Sequence, residues 1–235
     1  MYKRVLLKLS GEQLAGDKQA GFDTERAKWI ANQVKKAQST GSQIVIMVGG
    51  GNYARGAQLT NSSIQHVTGD NVGMLSTVMN AITLSDVFNS EKLTCSALST
   101  VKVDQFIDSF THRRAISHLN KGRVVIVGGG IGRPFLTTDT AALNLALELN
   151  CDLVIKTTKV DGIYDKDPNI HQDATKIDNI SYRDALANPD ITIMDKAALG
   201  LAMEHSKTVV ICDLLTDGNI AKVIKGKSVG TLIKN

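Results

Sequence analysis

The sequence predicts an α/β protein whose mostly parallel sheet is covered on both faces. Short apolar runs alternate along the chain with stretches of helical periodicity, the order that parallel strands joined by crossover helices produce. The runs at residues 4–9, 43–48, 124–127 and 152–156 are apolar at successive positions rather than at every second one, as strands buried on both sides require. Glycines follow three strand ends, at Gly11, at Gly49, Gly50 and Gly51, and at Gly128, Gly129, Gly130 and Gly132. The carboxyl ends of parallel strands share one sheet edge, and ligands of open α/β sheets bind there.

The elements follow in order. Residues 4–9 form the first strand, with Lys8 near its end, and Ser10-Gly11-Glu12 stops it. Residues 26–38 place Ala27, Ile30, Val34 and Ala37 on one helix face, and Gly41 is set to end that helix. The strand 43–48 closes on three glycines, and 52–57 reads as a helix start carrying Arg55. Asp70 is placed to cap a long apolar-periodic helix over 72–88. Weaker strand patterns lie at 92–98 and 101–106, and 111–120 is a helix ending near Gly122. The strand 124–127 runs into the glycine loop, then into Thr137, Thr138 and Asp139 and a helix to Leu149. After the strand at 152–156, residues 157–178 turn rich in Gly, Asp, Pro and His, a long excursion of the kind that is usually functional. Ser181 caps a helix over 182–187, residues 195–205 are helical, and 208–212 is a strand. A helix over 216–224 ends at Gly226, and 230–233 is a last, edge strand. No repeat or linker divides the chain, so residues 1–235 form a single domain, with 1–150 and 151–235 as two parts of one sheet.

Composition narrows the function classes. A chain of 235 residues with a formal charge of +4 and scattered lysines and arginines carries no nucleic-acid footprint. Cys95, Cys151 and Cys212 are odd in number and far apart, and Cys151 and Cys212 adjoin apolar runs, which predicts buried reduced thiols. The five histidines have no metal-ligand spacing. The first residues do not read as a signal peptide and no run is long enough to span a membrane, so a cytoplasmic protein is expected.

The glycine loops are not a dinucleotide fingerprint. Counting from Gly128 the third glycine position is Arg133, and from Gly130 it is Phe135. Lys225-Gly226-Lys227-Ser228 imitates the end of a phosphate-binding P-loop, but Ala221 stands where its first glycine belongs, and helix precedes strand. Protein-kinase signatures are also absent. The remaining reading is one polyphosphate-sized groove formed by several loops at a shared sheet edge. Lys8 in its apolar strand points out toward an anion, because a buried lysine without a counter-charge is costly. Arg55 can clamp a phosphate with its planar fork. Asp139 is a helix cap or a functional carboxylate.

These residues together resemble a known family. Lys8-Leu9-Ser10-Gly11-Glu12, Gly49-Gly50-Gly51-Asn52 with Arg55, Gly69-Asp70 with Gly73-Met74-Leu75, Pro134-Phe135 with Thr137-Thr138-Asp139, Lys156 with Thr158-Lys159-Val160-Asp161-Gly162, and Asp167-Pro168 resemble, collinearly, the bacterial uridylate (UMP) kinases of the amino acid kinase family. The resemblance implies a three-layer α/β/α sandwich and the reaction of ATP with UMP to give ADP and UDP, a step of pyrimidine nucleotide synthesis. It further implies magnesium carried by ATP rather than by a protein metal site, and a homohexamer. UMP would bind to the part over 1–150 and ATP to the part over 151–235.

The resemblance also implies roles. Lys8, with Lys156 or alternatively Lys159, would neutralise the transferring phosphoryl, and Asp139 would hold the lysines in place. ATP would lie against Lys8, Leu9, Ser10, Gly11, Gly51, Arg55, Thr158, Tyr164 and Asp167. UMP would lie against Gly50, Arg55 and Asp70, with Ile131, Gly132, Arg133, Pro134, Phe135, Leu136, Thr137 and Thr138 walling the base. Arg133 departs from an asparagine often found near the uracil in the family. Ser85, Asn89 and Ser96 stand at positions that are basic where GTP activates, so UTP inhibition is the firmer regulatory expectation. Two alternatives share the fold: a kinase for a carboxylate such as acetylglutamate, and a non-enzymatic nucleotide or oxyanion storage protein. Asp70 discriminates against the first, since a carboxylate substrate needs no acidic ribose contact.

Overall fold

The successive apolar residues of the strands face two separate cores, and the sheet between them organises the molecule. The computed structural model describes residues 1–54, 63–166, 170–188, 191 and 194–235. Strands β1 (Arg4–Leu9), β2 (Gln43–Val48), β3 (Cys95–Ser99), β4 (Asp108–Ser109), β5 (Val124–Gly128), β6 (Leu153–Thr158), β9 (Asn179–Ser181), β10 (Thr208–Asp213) and β11 (Thr231–Lys234) form one nine-stranded sheet. Its order is β4-β3-β5-β2-β1-β6-β10-β11-β9. Every pairing in it is parallel except β10 with β11. A separate antiparallel ribbon joins β7 (Ile163–Tyr164) to β8 (Lys176–Ile177).

Side-chain alternation divides each strand between the two faces. Val5, Leu7 and Leu9 share a core with Ile44, Ile46 and Val48, covered by α2 (Thr24–Gln38) and α3 (His66–Ser90). The second core takes Leu6, Val45, Met47 and Val154, covered by α5 (Thr138–Glu148) and α7 (Lys196–Glu204). Short helices α1 (Gly11–Leu14) and α6 (Tyr182–Ala187), with α4 (His112–Asn120) and α8 (Asn219–Ile224), complete the three layers that the sequence predicts. The three cysteines are unpaired and buried, and burial pushes each thiol up to about 12, far from a reactive thiolate.

Several elements differ from the sequence reading. Asp70 does not cap a helix: α3 starts at His66 after Gln65, and Asp70 lies one turn inside it. Gly69, a poor helix former, hides that first turn in the sequence, yet it is buried where it stands. The pattern at 101–106 is no strand; the Phe106 N–H turns back onto the Val103 carbonyl at 3.0 Å, and pairing resumes only at β4. Residues 51–53 make a turn rather than a helix start, and residues 55–57 of that reading lie outside the described residues. Asp213 accepts from the N–H groups of Leu215 and Thr216, which delays the last helix to Asn219. The strand β11 is not an edge, because β9 pairs along its outer side.

Among the described residues no helix is long and apolar enough to cross a membrane.

Candidate active site

The strand parity that builds the two cores also aims two lysines at one point. Lys8 lies two residues after Leu6, and Lys156 two residues after Val154, so both face the layer that contains α5. The parallel register pairs Lys8 directly with Lys156 across β1 and β6. Strand spacing alone sets such neighbours about 4.8 Å apart at the backbone. Like charges at that separation need a counter-charge, and α5 brings one. Asp139 sits in its first turn, with Thr137 as the N-cap whose hydroxyl accepts from the Asp139 N–H. The carboxylate stands between the ammonium groups, Oδ1 2.7 Å from Lys8 Nζ and Oδ2 2.6 Å from Lys156 Nζ. Lys156 donates an aligned hydrogen bond to Oδ2. Oδ1 meets Lys8 as a charge pair and has no aligned hydrogen bond among the described residues.

The side chains of Lys8, Asp139 and Lys156 are only 9%, 10% and 13% exposed. Burial raises the Asp139 carboxyl, but Lys8 and then Lys156 outweigh it and hold the group below its usual range. Burial depresses Lys156; Asp139 offsets part of that and the Lys8 charge adds to it, so the net direction is down. Lys159, the alternative second cation, is 67% exposed and lies 3.9 Å from Glu12, away from Asp139. The structure therefore joins Lys156, not Lys159, to Lys8. Lys8 turns onto an anion, as expected, and that anion is the buried Asp139 carboxylate.

This cluster stands at a topological switch point. From β1 the chain crosses toward β2 on one side, and from β6 it crosses toward β10 on the other, which opens a crevice at the carboxyl ends. The loop after β1 and the loop after β2 meet closely. A Cβ added at Gly11 would lie 2.5 Å from both Gly51 N and Asn52 Oδ1, so glycine is required there by contact. Asn52 and Asn80 exchange side-chain hydrogen bonds at 2.9 and 2.7 Å, tying the β2 loop to α3. Thr157 shares its one hydroxyl proton between the Lys8 carbonyl at 3.0 Å and Gln13 Oε1 at 2.8 Å, tying β6 to the β1 loop.

Beside the cluster lies a cavity of about 140 Å³ between α3, the β2 loop and the 129–138 loop. Its lining includes Gly50, Asp70, Ile131, Arg133, Leu136, Thr137 and Thr138 of the expected acceptor residues. Gly132, Pro134 and Phe135 do not line it, and the Phe135 ring is 68% exposed. A Cβ on Gly50 would meet Gly73 O and Ser76 Cβ at 2.8 Å, so the β2 loop passes directly against α3. Ser10, Gly11, Gly51 and Thr158 gather at the same sheet edge through these ties. Leu9 is fully buried and its carbonyl accepts from Gly49 N–H, so its side chain does not reach the groove. Tyr164 donates its hydroxyl to Asp161 at 2.6 Å, which leaves its ring as the group available to a ligand. Arg55 and Asp167 lie outside the described residues.

One residue that the sequence reading missed is Asp195. It accepts from Thr140 at 2.8 Å and from Thr137, and caps α7 through Ala198 N–H, so it fixes the start of α5 and with it Asp139. In sequence it is an unremarked helix-start aspartate, and its partners stand 55 and 58 residues away. Among the described residues no three His, Cys, Asp or Glu side chains gather as metal ligands.

Known structures share the fold over nearly the whole chain. The structure is similar to that of UMP kinase from Bacillus anthracis, with 33% identity over 99% of this chain and 96% of that one and a TM-score of 0.94. It is similar to UMP kinase from Ureaplasma parvum, at 26% identity, complete coverage of both chains (100% each) and a TM-score of 0.91. For uridylate kinase from Archaeoglobus fulgidus the values are 26% identity, 97% and 99% coverage and a TM-score of 0.75. Residues 3–213 match the Amino acid kinase family. That match runs from β1 through β10 and takes in both lysines with the aspartate between them, so the chain belongs to the amino acid kinase family.

Proposed function

We propose that this chain is a UMP kinase, transferring the γ-phosphoryl group of ATP to UMP to give ADP and UDP. The observation that carries the reading is the Lys8–Asp139–Lys156 cluster beside a cavity lined by Asp70 and Thr138. An oxygen of the UMP phosphate attacks the γ-phosphorus, and the bond to the β–γ bridging oxygen breaks as ADP leaves. The attacking oxygen is already an anion, so the reaction needs alignment and charge neutralisation more than a base. Lys8 and Lys156 supply positive charge where the transferring group passes, and Asp139 is a positioning residue that keeps both ammonium groups together. Gly11 and Gly51 offer backbone N–H groups to the ATP phosphates, and Gly50 and Arg55 take the UMP phosphate. Asp70 accepts from the ribose hydroxyls, and the 131–138 loop walls the uracil. Thr158, Tyr164 and Asp167 lie on the adenosine side. Magnesium, carried on the ATP phosphates, adds to the neutralisation when bound; both Asp139 oxygens already face ammonium groups.

The same reading extends to a cytoplasmic enzyme of pyrimidine nucleotide synthesis, with residues 1–150 serving UMP and 151–235 serving ATP. UTP, sharing the nucleoside, competes at the acceptor cavity. Self-association to a homohexamer is supported by the outer face of α3, where Leu75 and Met79 are about half exposed (49% and 48%). A coupled ADP-release assay with UMP, CMP and acetylglutamate as acceptors tests the function, and a clear preference for UMP is the expected result. Turnover of acetylglutamate, or of no acceptor, overturns it. Within that assay Asp70→Asn is expected to raise KM for UMP by roughly tenfold, the scale of one hydrogen bond to a charged group, and to leave KM for ATP unchanged. Equal effects on both substrates remove Asp70 from the acceptor side.

The direction of the Lys156 pKa gives a pH prediction. Its charged form is the active one, and burial places its proton loss below the 10.5 of an ordinary lysine. The rate kcat is therefore expected to fall on the alkaline side before an ordinary lysine would titrate. In Lys156→Arg any remaining activity should lose that limb, because a guanidinium keeps its proton. An identical limb in the variant assigns it to another group.

A further inference from the structure

Asp70 is held by a residue that the family resemblance does not mention. His66, in the first turn of α3, sets its Nδ1 3.1 Å from Asp70 Oδ2. The same oxygen accepts the backbone N–H of Phe135 at 2.7 Å. The Phe135 ring then stacks on the His66 ring, with centroids 4.7 Å apart and planes 7° from parallel. Phe135 has φ +67°, a left-handed conformation that is an outlier for a bulky residue and persists only where its surroundings enforce it. The stack and the hydrogen bond are the contacts that enforce it here. Neither His66 nor Phe135 lines the cavity, but Leu136, next in the chain, does, as does Asp70.

We infer that His66 is a positioning residue for the acceptor site, clasping the 129–138 loop to α3 through the Phe135 stack and Asp70 Oδ2. This rests on the UMP-kinase reading and deepens it. With Oδ2 engaged twice and no donor to Oδ1 among the described residues, the clasp leaves Oδ1 to receive a nucleoside hydroxyl. It also fixes the wall that meets the base. An acceptor nucleotide entering an enzyme without the clasp must order the loop itself, so the loss falls on acceptor binding and not on the phosphoryl-transfer step.

The test is steady-state kinetics of the full chain and two variants, with thermal melting alongside. His66→Ala removes the ring stack and the contact of Nδ1 with Asp70 Oδ2 and is expected to raise KM for UMP about tenfold, with kcat and KM for ATP within about twofold of wild type. His66→Phe retains a ring to stack on Phe135 and is expected to recover part of the loss. His66 is 49% exposed, and melting temperatures close to wild type are expected for both. A KM for UMP that does not move in His66→Ala, or a parallel loss in kcat and both KM values, overturns the clasp while the UMP-kinase reading stands. A wild-type chain that forms no UDP overturns both.

Discussion

Lys8→Ala is expected to lower kcat by roughly 10²–10³-fold, about 3–4 kcal/mol of transition-state stabilisation, the scale for one preorganised electrostatic group. The loss is large because the site is preorganised and nearly dry. Lys8 is fixed by the register of β1 and by Asp139 at 2.7 Å, with its side chain 9% exposed. No reorganisation is needed when charge builds on the transferring phosphoryl, and solvent screens little. Lys156 remains in the variant and sustains the residual rate. The fold should also survive, since Asp139 keeps its hydrogen bond from Lys156 at 2.6 Å. Melting of the variant checks this, and turnover near wild type with an intact fold removes Lys8 from the chemistry. Lys8→Arg is expected to recover little, because a planar fork cannot occupy the place of a compact ammonium packed between two strands and Asp139.

How much of this was legible in the sequence depends on the range of the contacts. Lys8 stood out because a lysine in an apolar run has to be explained, and the parallel sheet followed from unbroken apolar strands. The partner of Lys8 was not legible in the residues alone. Parity says which residues share its face, but not that α5, arriving after β5, covers that face. Lys156 was the expected second cation with Lys159 as the alternative; the register with Lys8 separates them. The residues alone made Asp139 a cap or a functional carboxylate, and only the family resemblance paired it with the lysines, since its partners lie 17 residues away in Lys156 and farther in Lys8. Asp195 and the Asn52–Asn80 pair left no signal, because each joins polar residues from separate elements; His66 and Asp70 are one helical turn apart, but the first turn of α3 is not legible as helix and Phe135 lies 65 residues beyond Asp70. The first turn of α3 was lost for a local reason: Gly69 breaks the helical pattern in sequence, whereas in the fold it is a buried residue within the helix.

Asp139→Asn is the variant expected to cost both activity and stability. Two ammonium groups in register would face a neutral amide, and removing one partner of a buried ion pair costs about 3–5 kcal/mol. For a domain of this size that corresponds to a fall in Tm of roughly 10 °C. The pH dependence identifies the origin. The Asp139 carboxyl is held below its ordinary 3.8 in the fold, so its contribution is complete above the unfolded value and disappears as pH falls through the folded one. The wild type and the variant should therefore converge in strong acid. They should also converge on the alkaline side, where loss of one proton relieves the repulsion between Lys8 and Lys156. A deficit that stays constant across pH would mean that shape, not charge, was lost. Replacing all three residues together, Lys8→Met, Asp139→Leu and Lys156→Met, is expected to regain much of the stability, because a packed apolar trio avoids the desolvation of three charges, yet to form no UDP. That outcome would separate what the cluster does for the reaction from what it does for the fold. A triple variant less stable than Asp139→Asn would instead make the cluster a structural element of the β1–β6 seam.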